Sequence, residues 1–264
     1  MAGLLLINPW AGNGDAVSPE ELAGAARARG IEAWVLGEGE RGGEVARAAA
    51  ADALGVAGGD GSLGPVAQVA LERDLPFVCV PFGTRNHFAR DLGLRLGDPV
   101  GALASFHGTE RRIDVGRADG RLFLNNVSLG LYARLVHRRE GHRRRREAFA
   151  RLRAWAIVLT HREPLGITID GEPTETHVVL VANNAYETNL PTIGRRERLD
   201  EGLLHLYVAG DEPGERAAER FVVDAQAGRL EAAVDGEPDV LRTPLEFRIE
   251  PRALRVLVPP RERG

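Results

Sequence analysis

The chain has 264 residues, 44% hydrophobic and 27% charged, enough for one large domain or two ordinary ones with real cores. A net charge of −4 gives no reason to expect nucleic acid as a partner, and the single cysteine, Cys79, excludes intrachain disulfides and cysteine-cluster zinc sites. All 34 Lys+Arg residues are arginine, which removes the P-loop lysine and Schiff-base chemistry from consideration. No apolar run reaches membrane-spanning length and the N-terminus lacks a cationic start, so a cytoplasmic address is expected.

Leu4–Ile7 predicts a short apolar strand that ends in a glycine-bearing turn, Asn8-Pro9-Trp10-Ala11-Gly12-Asn13-Gly14. Ser18-Pro19-Glu20-Glu21 is a helix start: Ser18 caps, Pro19 suits the first turn and Glu21 completes a capping box. Gly30 ends that helix, 32–36 reads as a strand, and 44–53 is alanine-rich and helical. A strand over 53–57 leads into Gly58-Gly59-Asp60-Gly61-Ser62-Leu63-Gly64, followed by a helix over 63–72. The strand 77–81 then meets a third polar turn, Phe82-Gly83-Thr84-Arg85-Asn86, with a helix over 86–92. Cys79 and Trp34 are expected to fill core space. Alternating strands and helices predict a doubly wound, mainly parallel sheet, whose ligands bind at the carboxyl ends of the strands. All three glycine turns follow strands.

Those turns carry the chemistry. Without Cβ atoms a loop comes close to its ligand, and the N–H groups at a helix start point at an anion. Asp60 has the wrong charge for a phosphate, so it is assigned to a metal ion or a proton. The combination reads as phosphoryl transfer. Thr84 and Asn86 either cap the following helix or bond a nucleotide, and the company of the other two turns favours ligand contact.

After Gly108 the pattern turns to strands: 112–116, 122–125, 166–170, 178–182, 203–208, 230–234, 245–249 and 254–258. Asp119-Gly120 and Asp170-Gly171 are hairpin signals, and many short strands predict a sandwich or barrel. The expected division is a nucleotide-binding α/β domain over 1–110 and a β-rich substrate domain over 111–249, with 250–264 packing back on the first. The cleft between them is the expected active site. An arginine-rich helical insertion over 134–160, ending in Trp155-Ala156-Ile157-Val158-Leu159, is either a solvated face or a contact for an anionic membrane.

Taken together, Asn8-Pro9-Trp10-Ala11-Gly12, Gly58-Gly59-Asp60-Gly61-Ser62, Pro81-Phe82-Gly83-Thr84-Arg85-Asn86 and Val234-Asp235-Gly236-Glu237 resemble the diacylglycerol kinase catalytic family, which includes bacterial lipid kinases and sphingosine kinases. The resemblance runs from residue 4 to 259 and implies an ATP-binding α/β domain, a β-sandwich domain, and Mg²⁺-dependent transfer of the γ-phosphoryl of ATP to a lipid hydroxyl. It implies that Asn8, Pro9, Trp10, Ala11 and Gly12, with Gly58 through Gly64, contact the ATP phosphates and that Thr84 adds a nucleotide contact. Glu237 is similar to the family's general base, with Asp60 holding Mg²⁺ or sharing that role. Arg198, Glu201 and Leu203 resemble a structural Mg²⁺ site. Three departures stand out: Ser62 for a usual threonine, His87 for a frequent aspartate, and Glu201 for the commoner Asp. The expected address is cytoplasmic or peripheral to the inner face of the membrane, and the alternatives are a kinase of a non-lipid alcohol such as NAD, or a catalytically silent nucleotide- or membrane-binding member.

Overall fold

The computed structural model describes residues 2–11, 17–130, 164–187, 194–209 and 213–260. The arginine-rich insertion over 134–160 lies outside the described residues. The elements of the first half are β1 (Gly3–Ile7), α1 (Pro19–Arg27), β2 (Glu32–Val35), α2 (Gly42–Ala48), β3 (Ala53–Gly58), α3 (Asp60–Glu72), β4 (Phe77–Pro81), α4 (His87–Asp91), α5 (Pro99–Ala102) and a 3₁₀ segment, Leu103–His107. Then come β5 (Thr109–Ala118), β6 (Arg121–Phe123), β7 (Asn126–Leu129), β8 (Ile167–Ile169), β9 (Glu172–Thr174), β10 (Val178–Asn183), β11 (Leu204–Ala209) and β12 (Gly214–Ala218). The chain closes with β13 (Arg220–Ala225), β14 (Arg229–Val234), β15 (Glu237–Arg242) and β16 (Leu245–Val258).

These fall into two units: Met1–Val115 with Tyr186–Gly202 and Glu250–Gly264, and Gly116–Ala185 with Leu203–Ile249. Residues 186–202, expected in the β-rich unit, cluster with the first, and the first crossing falls after Val115 rather than after residue 110. No shift in composition marks either point, because both lie within runs of ordinary strand and loop residues.

In the first unit β2, β1, β3 and β4 run parallel in that order, and Val256 and Leu257 of β16 add a parallel neighbour to β4. Every residue of β1 and β3 is buried, as expected of strands covered on both faces. Leu5 and Ile7 face a core shared with Leu22 and Ala26 of α1 and with Leu103 and Phe106. On the other face Leu6 reaches Gly42 of α2, which packs beside α3. The capping box of α1 forms as predicted: Ser18 Oγ accepts the Glu21 N–H at 3.1 Å, and Glu21 Oε2 accepts the Ser18 N–H at 2.7 Å. Those Ser18 bonds hold the Glu21 carboxyl below the usual carboxylate range.

Three expectations need correction. Helix α3 begins at Asp60, not 63, so Asp60 to Gly64 form its opening turns rather than a loop. Each glycine there costs about 1 kcal/mol relative to alanine, which the burial of Leu63, Val66, Ala67, Val69 and Ala70 offsets. Trp34 sits on the edge strand β2 at 45% exposure, its Nε1–H donating to Glu40 Oε2 at 3.0 Å instead of filling core. The strands expected at 245–249 and 254–258 are one strand, β16, interrupted only by a left-handed Arg252 whose N–H is held by Asp114 Oδ1 at 2.7 Å.

The second unit is antiparallel. One sheet has the order β12-β11-β10-β7-β14-β15. Separately, β13 pairs with β8 and with the start of β16, and β8 pairs with β9. Val127, Leu129, Val181, Leu206 and Val234 of the first set share one core with Ile167, Ile169, Phe221, Val223 and Phe247 of the second. That is sheet-on-sheet packing. Asp119-Gly120, Asp170-Gly171 and Asp235-Gly236 all have positive φ at both residues, the geometry of tight hairpin turns.

Candidate active site

From β1 the chain moves outward to β2 and then returns across β1 to β3. The β1/β3 boundary is therefore the point where the winding reverses, and the crevice beyond its carboxyl ends is where such sheets take ligands. Asn8 stands at that point. Its N–H donates to the Ala57 carbonyl at 2.9 Å and its Oδ1 accepts the Trp10 N–H at 3.0 Å. Its Nδ2 donates to Ser62 Oγ at 2.9 Å, so one side chain ties the turn after β1 to the first turn of α3. The Ala11 N–H closes that turn onto the Asn8 carbonyl at 3.2 Å, beside Pro9, and Trp10 is 62% exposed. Gly12 lies outside the described residues.

Gly59 is the N-cap of α3 and offers no side-chain oxygen to the helix start. An uncapped 13-residue helix at the end of a buried strand presents N–H groups and a positive dipole end. The space before it is kept by glycine. A Cβ on Gly58 would lie 2.7 Å from Ser62 Cβ, and a Cβ on Gly83 would run into the Gly59 backbone. The second and third turns thus touch main chain to main chain, leaving a cradle that fits a phosphate chain.

Asn86 sits at the N-cap position of α4 but makes no cap bond. It closes its own turn instead: Oδ1 accepts the Gly83 N–H at 3.1 Å and Nδ2 donates to the Gly83 carbonyl at 2.8 Å. The start of α4 is served from a distance by Asp60, whose Oδ2 accepts the His87 N–H at 3.1 Å and Oδ1 the Phe88 N–H at 3.0 Å. A role for Asp60 as the anchor of α4 was not legible in sequence, since the partners lie 27 and 28 residues apart. Thr84 stays exposed in the same turn. Cys79 on β4 is buried, and burial first, then the nearby Asp60 charge, push its thiol well above the ordinary range. It is core, not a nucleophile.

In the second unit Asp235-Gly236 is a two-residue hairpin turn between β14 and β15, with Val234 opposite Glu237. The Asp235 carboxylate gathers three main-chain donors: Leu124 N–H at 2.8 Å on Oδ2, and Asn125 and Asn126 N–H at 2.7 and 3.1 Å on Oδ1. Glu237 follows it, exposed, as the first residue of β15. Beside this turn runs a buried polar group that sequence reasoning missed. Asn183 donates to the Leu124 carbonyl at 3.1 Å, and Asn184 donates to Asn183 Oδ1 at 3.0 Å. Asparagine pairs at 125–126 and 183–184 inside apolar strands were the available signal.

Arg198, Glu201 and Leu203, expected to hold a structural Mg²⁺, lie in the loop that leads into β11. Arg198 and Glu201 lie in the first unit, whereas Leu203 opens the second segment of the other and its carbonyl accepts the Asn184 N–H at 3.1 Å. The loop is closed by protein groups: Asp114 is fully buried, its Oδ2 taking the Gly202 N–H and its Oδ1 the Arg252 N–H, both at 2.7 Å. Among the described residues no three His, Cys, Asp or Glu side chains gather as metal ligands. The expected donors are of another kind, one carboxylate from Glu201 and the main-chain carbonyls of Arg198 and Leu203, oxygen ligands of the sort Mg²⁺ takes.

An open parallel sheet with three glycine turns at its carboxyl ends, two of them bridged at the winding reversal, is an arrangement suited to taking an anionic ligand. Residues 2–118, the segment bearing all three turns, match the family model described as the diacylglycerol kinase catalytic domain. Among curated relatives, a protein named "Probable lipid kinase YegS-like" from Pseudomonas aeruginosa is 38% identical over 139 residues, 50% of this chain and 45% of that one. The diacylglycerol kinase of Bacillus subtilis is 33% identical over 89 residues, 33% of this chain and 29% of the relative. The matched stretches thus span less than half of these relatives. A solved structure described as a diacylglycerol kinase from Bacillus anthracis str. Sterne superposes with a TM-score of 0.71 at 21% identity, over 97% of this chain and 96% of that one. That likeness extends the shared fold to both units.

Proposed function

We infer that the protein is a phosphotransferase that moves the γ-phosphoryl of ATP to the hydroxyl of a lipid, diacylglycerol-like or sphingoid-like. The observation that carries this reading is the Asn8–Ser62 bridge, which joins two glycine turns at the switch point of a segment that matches the diacylglycerol kinase catalytic domain. The turns at 8–12, 58–64 and 83–86 hold the triphosphate through main-chain N–H groups, with Thr84 as a further contact. No lysine competes for this work. Asp60 is the carboxylate of these turns that would hold a Mg²⁺ ion, which would supply positive charge to the transferring phosphate.

Glu237 acts as general base. The acceptor O–H gives its proton to the Glu237 carboxylate as the oxygen bonds to the γ-phosphorus, the β–γ bridge breaks, and ADP leaves with that electron pair. Asp235 keeps the turn that carries Glu237 fixed through its three N–H bonds, which orients the carboxylate for proton abstraction.

Incubation with γ-labelled ATP and a panel of diacylglycerols, sphingoid bases and NAD tests the reading, with label expected in the lipid phase only. Glu237→Gln is expected to bind ATP normally while transfer falls by roughly 10²–10⁴. Turnover unchanged in that variant removes Glu237 from the mechanism, and label on NAD alone replaces the lipid acceptor. Peripheral binding to anionic membranes through Arg143, Arg144, Arg145 and Arg146 belongs to the same proposal. Flotation with anionic vesicles is expected to weaken when all four become alanine.

A further inference from the structure

Helix α4 is five residues long, far too short to be stable by itself, yet it follows directly on the third glycine turn. Its start is fixed by Asp60, as described. Its end is fixed by something the sequence reading did not foresee. Asp91, with its side chain 1% exposed, meets Arg196, with its side chain 0% exposed, at 2.8 Å between Oδ2 and Nε. The partners are 105 residues apart. Arg90 adds a second cation, its Nε 2.9 Å and its Nη2 2.8 Å from Asp91 Oδ1, and the same Nη2 donates to the Gly194 carbonyl at 2.6 Å. The Arg196 guanidinium also lies over the Tyr186 ring, 6.0 Å from its centroid.

All these groups belong to the first unit, and they join α4 to the segment 186–202 that returns to that unit after the β-rich excursion. A guanidinium without exposed surface is rare and costly, and such a pair persists only when its geometry is good and its donors are used. The same segment is the one the family resemblance equips with a structural cation at Arg198, Glu201 and Leu203. Asp114 gives the segment a further anchor, accepting the Gly202 and Arg252 N–H groups. Arg196 supplies a fixed positive charge two residues before Arg198, where that cation site was expected to begin.

We propose that Arg196, through Asp91, is a positioning residue for the nucleotide turn 82–86 and that the same ion pair fastens segment 194–202 to α4. Main-chain contact between Gly83 and Gly59 carries the position of α4 to the phosphate cradle, so the pair tunes nucleotide affinity from outside the site. The nucleotide half of this statement rests on the function proposed above; the fastening half does not. Lysine keeps the charge of Arg196 but not its planar, multi-donor reach, which makes Arg196→Lys the informative variant, with Asp91→Asn as its complement.

Three measurements on the full chain test it. Without nucleotide, hydrogen exchange across 194–202 is expected to speed up in both variants, and equal protection there overturns the fastening. In both Arg196→Lys and Asp91→Asn, hydrogen exchange is expected to speed up across 82–92 and to stay unchanged across 19–27; equal protection at 82–92 overturns the positioning role. Calorimetric titration with ATP and Mg²⁺ is expected to show roughly tenfold weaker binding in each variant. Equal binding by wild type and variants refutes the proposal, whereas a wild type that binds no nucleotide but shows the exchange change refutes the proposed function and leaves the positioning role standing.

Discussion

Asp60→Asn separates anchoring from chemistry at the centre of the glycine turns. The carboxylate is buried at 8% exposure and accepts two main-chain N–H groups, one on each oxygen. An amide keeps a single acceptor, so one bond is lost and its NH₂ faces either the His87 or the Phe88 N–H. A hydrogen bond to a charged group contributes about 1.5–3 kcal/mol, and a stranded buried donor costs about 1–3 kcal/mol more. A loss of about 3 kcal/mol follows, or roughly 6–12 °C in melting temperature for a chain of this size, at about 2–4 °C per kcal/mol. Differential scanning calorimetry reads the shift, and titration with ATP on the same sample reads the cradle. Glu237→Gln, an exposed strand-end substitution, is expected to stay within about 0.5 kcal/mol of wild type. An Asp60→Asn protein that melts within about 2 °C of wild type refutes the anchoring argument and makes any activity loss purely chemical.

Gly83→Ala drives a methyl into the Gly59 backbone and is expected to cost about 1–3 kcal/mol and to weaken ATP binding, read by the same calorimetry. Gly24→Ala is its opposite: an exposed interior position of α1 with nothing near a new Cβ, expected to stabilise by about 0.5–1 kcal/mol in urea unfolding. Asp235→Ala strips the acceptor from three N–H groups and is expected to melt several degrees lower than Glu237→Gln, while losing transfer as well. The raised Cys79 thiol keeps its proton in the native state while the unfolded chain loses it above a pH of about 8.5, so native binds more protons and stability falls as pH rises. Denaturation from pH 8 to 10 is expected to show a slope steeper by up to about 1.4 kcal/mol per pH unit than in Cys79→Ala, and an equal slope removes the effect.

What the sequence disclosed and what it concealed divide along chain distance. The capping box at Ser18 and Glu21, the strands over 4–7, 53–57 and 77–81, and the Asp-Gly hairpins are set by neighbours within a few residues, so periodicity and turn chemistry reveal them. The short polar strands Glu172–Thr174, Gly214–Ala218 and Glu237–Arg242 have exposed faces and give no apolar alternation. The glycine turns themselves were legible, but their fasteners were not. Asn8 with Ser62, Asp60 with α4 and Asp91 with Arg196 span 54, 27 and 105 residues, and no local rule links them. Trp34 was misread because an edge strand exposes one flank that a hydrophobicity pattern counts as core.

Those fasteners follow one physical logic. Glycine gives a phosphate turn its close approach, and the same missing side chain leaves the turn without packing of its own and with the largest conformational entropy to lose. Order has to come from polar side chains, some from another element and one from the turn itself: Asn8 reaches Ser62, Asn86 closes its own turn on Gly83, and Asp60 holds the helix that follows. A bond of this kind adds about 1 kcal/mol when neutral and more when charged, enough to select one turn geometry among several that glycine permits. Arginine in place of every lysine suits such a scheme, because a planar guanidinium such as that of Arg196 satisfies several acceptors at a fixed angle. A precise cradle can then rest on soft glycine main chain, provided its anchors sit on the buried strands and helices around it.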